Sequence, residues 1–278
     1  MTRSLILSTL LTLAAIMTPW TEASAQSREL AKLDTRLTTA TEVLQELRAT
    51  PDQNVPDWLM QRAYGVAVIP EVLKGAFIFG ARGGQGVMTV RDANGRFSNP
   101  IFVKLAGGSV GWQLGATSTD VVLVFVTQRS VENFARGKFT LGADASVAAG
   151  PVGRQGEAAA GVNAEIYSYS RSRGLFAGVA LDGTVIAFDR GANRDYYNNE
   201  DVTTHMITSG AVSSNSEAGR QFIKAVAEAA NGAAPPAAAA TAPTSPPPGQ
   251  SPSPGSPPPA GDVHTFPMED SHPGGEPK

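Results

Sequence analysis

Four glycines within seven residues, Gly80, Gly83, Gly84 and Gly86, separate two β-type apolar runs in the stretch GAFIFGARGGQGVMTVR at 75–91. Phe77, Ile78 and Phe79 lead in, and Val87, Met88 and Val90 lead out. Glycine inside a strand pattern marks a bulge, a sharp bend, or close approach of another backbone or a ligand. The stretch therefore predicts a strand, a bend and a second strand. The same texture returns at 107–115, 137–161 and 174–183. The expected fold class is α+β: a glycine-kinked antiparallel sheet curling toward a barrel-like core, with amphipathic helices before it and one helix after it.

The chain opens with Arg3, an apolar run at 5–17, Pro19 and the small-residue step Ala23-Ser24-Ala25. This is the pattern of a secretory signal peptide, residues 1–25, cleaved before Gln26. The run falls short of the roughly 20 apolar residues of a spanning helix. It predicts a periplasmic or secreted protein. With no cysteine in 278 residues, disulfides, thiol catalysis, thiolate metal sites and a lipid anchor on cysteine are excluded. Residues 26–232 are expected to form one domain. Residues 233–278 form a tail, because 14 of the 20 prolines lie at 235–277 among Ala, Ser and Gly. Such a composition buries no core and predicts an extended, disordered segment, either a spacer or the contact for an envelope partner. The net charge of −3 gives no bulk attraction to nucleic acid or to anionic membrane. No nucleic-acid partner is expected, and a basic site has to be local.

In 27–49 Leu30, Leu33, Leu37, Ala40, Leu44 and Leu47 recur at three and four residues, one apolar stripe on a helix. Lys32, Arg36, Glu42 and Glu46 belong to its polar face. Such a helix covers a sheet, pairs with another helix or lies on a membrane. Pro56 opens a second helix that Gly65 stops. A strand at 66–69 ends at Pro70, and 71–74 is a link. Asn94-Gly95 makes a hairpin turn, glycines at 107–115 bend the next strand, and the apolar run 121–127 lies at the centre of the sheet. Ser130 caps a short helix over 130–136. The segment 164–172 alternates as a strand, 175–181 and 184–188 form a hairpin over Asp182-Gly183, and 216–230 is a closing helix with Phe222, Ile223 and Val226 inward.

Gly107-Gly108-Ser109-Val110-Gly111 matches the G-x-S-x-G nucleophile elbow, with Asp182 or Asp189 and His205 following in hydrolase order. The elbow needs a helix directly after the serine, and WQLGATSTD is not one. The carboxylates show no metal-ligand spacing. The loop GARGGQG lacks the Lys-Ser/Thr ending of a phosphate loop. Basic residues cluster near the bends: Lys74, Arg82, Arg136, Lys138, Arg154, Arg171 and Arg173. Gathered on one rim they would suit lipid phosphates.

The stretches AYGVAVIPEVLKGAFIFGARGGQGV (63–87), GGSVGWQLGATSTDVVLVF (107–125), FTLGADASVAAGPVGR (139–154) and SYSRSRGLFAGVALDGTVI (168–186) resemble the SYLF domain family in their order and spacing. The resemblance implies binding of anionic phospholipid, with actin binding in some fungal members, and implies no catalytic residue, metal or cofactor. In the family, lipid contact is attributed to an N-terminal amphipathic helix and nearby bases. Carried over, this gives Leu30, Lys32, Leu33, Arg36, Leu37 and Leu44 on the helix, and Lys74 and Arg82 inside the matched motif. Arg171 and Arg173 complete the expected set. Tyr64 stands where the family often has lysine, so one potential phosphate contact is absent, and no SH3 or FYVE module accompanies the domain.

Overall fold

The computed structural model describes residues 18–49, 55–76, 79–110, 115–152, 164–172, 175–214 and 216–231. Most of the expected leader, Arg154, Arg173 and the proline-rich tail lie outside the described residues. Helix α1 (Thr18–Ala49) comes first, with side chains described from Gln26, and the short α2 (Asp57–Gln61) follows. Among the described residues nine strands make one sheet: β1 (Gly65–Ala76), β2 (Phe79–Val90), β3 (Ile101–Val110), β4 (Gly115–Phe125), β5 (Lys138–Thr140), β6 (Val147–Ala149), β7 (Ile166–Ser172), β8 (Leu175–Gly178) and β9 (Val185–Phe188). Between and after them stand α3 (Gln128–Ala135), α4 (Arg190–Tyr197), α5 (Thr204–Thr208) and α6 (Glu217–Ala230).

The spatial order is β5-β9-β3-β2-β1-β4-β7-β6, with β8 also on β7. This curled half-barrel is the expected α+β architecture, with one departure: β6 joins β7 in parallel. Residues 66–69, 101–103 and 121–125 are consecutive and at most 3% exposed, so the sheet is covered on both faces. On one face lie α1, α2 and α6. On the other, Phe125 meets Phe139 with ring centroids 6.3 Å apart.

The glycine cluster does not bend the chain. Strand β2 runs straight through Gly80, Gly83, Gly84 and Gly86, and the register between Phe79 and Met88 keeps step with β3. The irregularity is in β1, which continues past Pro70. Val68 faces Val87 and Leu73 faces Gly83, so five steps of β1 match four of β2. This β-bulge takes up proline, which lacks the N–H a regular ladder needs. Glu71 there has φ 51°. The glycines make room for it: a Cβ on Gly86 would stand 2.3 Å from the Val68 carbonyl oxygen, and one on Gly84 2.8 Å from Ile69 Cγ2. Close approach, not bending, is what they permit. Likewise β3 passes Gly107 and Gly108 without a break.

Other expectations shift by a few residues. Gly65 begins β1 and does not stop a helix. Thr127 caps α3, its hydroxyl accepting from the Ser130 N–H. Asp182-Gly183 does form a turn, with Gly183 at φ 72°, but the flanking strands part: β8 pairs with β7, and β9 with β3 and β5. Helix α6 begins at its serine cap, Ser216, which accepts from the Gly219 N–H, and it buries Phe222 and Val226 completely while Ile223 is half-buried.

Candidate functional site

Helix α1 lies across the strands as a bar. Near its middle Arg36 donates to the Gln85 side chain on β2, and near its C-terminal end Glu46 pairs with Arg171 on β7. Beyond this line β1 to β4 run on. From Gln85 to Phe79 is six residues, about 20 Å of strand. In this sheet end Leu73, Lys74, Ala81, Gly83, Ala106, Gly108, Thr117 and Ser118 are exposed. Small side chains leave its backbone open to close approach.

The apolar stripe of α1 is inside the protein. Leu33, Leu37, Leu44 and Leu47 are 4%, 0%, 1% and 2% exposed, facing the sheet and α6, and Leu30 is half-buried. Bringing those four leucines to a lipid surface requires α1 to leave the sheet. At about 2 kcal/mol for each side chain the cost is roughly 8 kcal/mol, comparable with the whole stability of a domain. The spacing that suggested a membrane face is here the spacing of a core helix.

Arg36 is a strut. Its guanidinium lies 3.7 Å from Asp189 Oδ2 and over the Phe102 ring at 5.6 Å. Burial pulls its pKa below the ordinary arginine value, against the attraction of Asp189. Asp189 also takes Lys104 Nζ at 3.0 Å and caps α4 by accepting from the Ala192 N–H. Arg171 is held in the same way on the other flank. Its Nε donates to Asp120 Oδ2 at 2.6 Å, it pairs with Glu46, and it lies 5.7 Å over Phe176. Burial lowers its pKa too.

Lys32 is exposed and 2.6 Å from Glu29. With Arg36 and Thr39 it walls a cleft of about 440 Å³ whose floor is Pro70, Leu73 and Gly84. Lys74 and Arg82 sit directly opposite each other on β1 and β2. Strand alternation turns this pair to the face opposite Leu73 and Gly83. The structure thus joins Lys32 and Arg36 at one cleft and Lys74 and Arg82 on the reverse face of the same sheet end. Arg171 is at the far end of α1, and Arg173 is outside the described residues. Missing from the expected set is Leu73, one of the exposed large hydrophobics at 63%. The bulge flips its face relative to Ile69, four residues earlier and 0% exposed, and Pro70 is the sequence signal for that flip.

Ser109 lies within β3, paired with Gly80, so no strand-to-helix elbow forms there. Asp189 is committed to Lys104 and Arg36, and His205 is exposed on α5. Among the described residues no cluster of three or more His, Cys, Asp or Glu could hold a metal, and no helix is long and apolar enough to cross a membrane.

Residues 106–229, from the end of β3 into α6, match the family model described as "Ysc84: Las17-binding protein actin regulator". The chain is 42% identical over 167 residues to Protein YSC84 of Saccharomyces cerevisiae, covering 58% of this chain and 35% of the yeast protein. To LAS seventeen-binding protein 3 of the same yeast it is 41% identical over 166 residues, 58% of this chain and 36% of that protein. SH3 domain-containing YSC84-like protein 1 of Xenopus laevis is 35% identical over 197 residues, 70% and 57% of the two chains. The matches thus cover from 35% to 57% of these relatives' own lengths. No solved structure matches the chain. The family match takes in the SYLF motifs at 107–125, 139–154 and 168–186 and leaves 63–87 outside it, so over residues 106–229 the chain carries a match to the Ysc84 family, the family of the SYLF domain.

Proposed function

We propose that this protein binds anionic phospholipid surfaces without catalysing a reaction, in the compartment its leader addresses, and that the sheet end beyond α1 makes the contact. The observation that carries the reading is Lys74 directly opposite Arg82. Like charges so placed destabilise an antiparallel pair, and a phosphate surface laid against them removes the repulsion. Each base near an anionic surface contributes about 1 kcal/mol. Leu73 and Lys32 stand at the cleft on the reverse face of the same sheet end, so a surface that takes the sheet end edge-on meets them as well as the pair. The SYLF resemblance supports lipid as the ligand. The family's description and one relative's name speak of a protein partner, Las17, for those longer proteins; a protein partner for this chain is a second proposal.

The test is co-sedimentation of the full chain with phosphatidylcholine vesicles and with phosphatidylcholine vesicles containing phosphatidylglycerol, at low and high salt. Binding is expected to the anionic vesicles alone and to fade with salt, since exposed charges are screened over about 10 Å at 0.1 M. Equal binding to both vesicles, or to neither, overturns the proposal.

A further inference from the structure

Strand β5 is the outermost strand at one side of the sheet, paired with β9. The Phe188 N–H donates to the Gly137 carbonyl at 3.1 Å and the Leu141 N–H to the Thr184 carbonyl at 2.8 Å. Residues 137, 139 and 141 thus bond inward to β9, and alternation turns the backbone groups of Lys138 and Thr140 outward. Those of Thr140 are taken locally, its N–H by Asp144 Oδ2 at 2.6 Å and its carbonyl by the N–H groups of Ala143 and Asp144. The N–H and C=O of Lys138 have no partner among the described residues. Lys138 is one open rung on an exposed edge.

This rung lies at a cleft of about 680 Å³. Gly137, at φ 108°, turns the chain from α3 into β5, with Arg136 and Lys138 on either side of the turn. Its hydrogen bond to Phe188 brings Arg190, two residues further on, to the same cleft. All three bases are exposed, and none has an ion-pair partner among the described residues. Glu200 and Asp201 line the cleft too, but Glu200 lies 3.7 Å from Arg194, so positive charge prevails.

The two acids discriminate between anionic ligands. A flat anionic surface laid over the cleft meets Glu200 and Asp201 together with the bases, whereas a single extended chain can follow the bases and the open rung. Peptide backbone is also what an unpaired strand edge accepts. A peptide residue that takes both hydrogen bonds of Lys138 lies directly opposite it, with the two Cβ atoms about 5 Å apart on one face. A glutamate or aspartate at that position reaches the Lys138 ammonium.

We infer that the outer edge of β5 is a docking site for an extended acidic peptide segment of a protein partner. The segment adds as a short strand at Lys138 and sets its carboxylates against Arg136, Lys138 and Arg190. This goes beyond the lipid reading and uses none of the residues assigned to it.

The test uses the full chain and a short fluorescent peptide of alternating glutamate and valine, followed by anisotropy at low and high salt. The same peptide with lysine in place of glutamate, and a backbone N-methylated version, serve as comparisons. The glutamate peptide is expected to bind, the lysine peptide not to bind, and N-methylation to abolish binding because the amide no longer donates to the Lys138 carbonyl. Lys138→Glu and Arg190→Glu should each weaken binding about tenfold at low salt, since a reversed charge loses an attraction and adds a repulsion. Both positions are exposed, so Tm should hold; if Lys138→Glu alone lowers Tm, Arg190→Glu decides. Arg62→Glu, exposed and outside the cleft, should leave binding as it is. The inference is overturned if the wild type does not bind the glutamate peptide, if a folded charge-reversal variant binds it as tightly as the wild type, or if N-methylation changes nothing. It is overturned as well if the two reversals abolish binding to the anionic vesicles above and spare the peptide, which makes the cleft a lipid contact.

Discussion

The backbone N–H of Glu71 donates to Asp120 Oδ1 at 2.9 Å, tying the bulge of β1 to its neighbour β4. The other carboxylate oxygen takes Arg171, so one side chain secures both the irregular strand and the far flank of α1. Asp120→Ala should cost about 2–3 kcal/mol, because it strands a partly buried arginine and a bulge N–H together. Asp120→Asn keeps an acceptor for Glu71 and should cost less. Denaturant midpoints of the two variants measure the difference.

Glycines that look alike in the sequence should respond differently to alanine. Gly86→Ala puts a methyl 2.3 Å from the Val68 carbonyl oxygen and should destabilise by about 2 kcal/mol or more. Gly83 has its nearest neighbour at 3.8 Å and Gly108 has none within 4 Å. Their alanine variants should stay within about 0.5 kcal/mol of the parent. Equal losses at all three would contradict the registers described for β1 to β3.

Lys74→Glu should raise stability and lower vesicle binding at once. The change turns a like-charged cross-strand pair into an opposite one, worth roughly 0.2–1 kcal/mol, while removing a phosphate-directed charge. Thermal melting and co-sedimentation of the same preparation read the two effects. A variant that loses both stability and binding would mean that Lys74 is held by contacts of another kind.

Leu37→Asp with Leu44→Asp should unfold the protein, because both positions are at most 1% exposed and an unpaired buried carboxylate costs several kcal/mol. Leu73→Asp should leave the melting curve in place and weaken vesicle binding. Circular dichroism of the double variant decides between core and membrane roles for the stripe.

At Asp189 the cap and the ion pairs can be separated. Asp189→Asn keeps an oxygen for the Ala192 N–H and loses the attraction for Arg36 and Lys104, whereas Asp189→Ala loses both. The alanine variant should be the less stable by about 1 kcal/mol, the typical worth of an N-cap, with the gap read from urea midpoints.

Where local chemistry decides, the sequence was legible. The leucine spacing of α1, the Asn94-Gly95 turn, the run 121–125 inside the sheet and the closing helix α6 all stand where their residues predicted, whereas the serine cap expected at Ser130 is taken by Thr127. What periodicity cannot carry is the identity of the partner. The same stripe of Leu33, Leu37 and Leu44 serves a membrane or a sheet, and the choice was made by strands that follow it in the chain. Glycine is ambiguous in the same way. It allows a bend or a close neighbour, and Pro70, opposite the cluster, determined which. Asp182-Gly183 forms the turn its residues predict, but the flanking strands part, since β9 takes its hydrogen bonds from β3, some 80 residues earlier, and from β5. Arg190 meets Arg136 and Lys138 only through the register of β9 with β5, and no local pattern joins them.

The pairing of β9 with β3 also sets an order of assembly. The outer side of β3 at Val103 to Ala106 receives its partner only when Val185 to Phe188 has been made, and the first helix packs against the last, with the Ser216 hydroxyl donating to Asp34 at 2.6 Å. Contacts so distant along the chain slow folding, because loop closure precedes any gain from pairing. A ribosome or a translocation channel delivers Leu33, Leu37 and Leu44 long before their cover exists. The chain should therefore fold late and slowly, and during synthesis or export its first helix should be the natural grip for a holding chaperone.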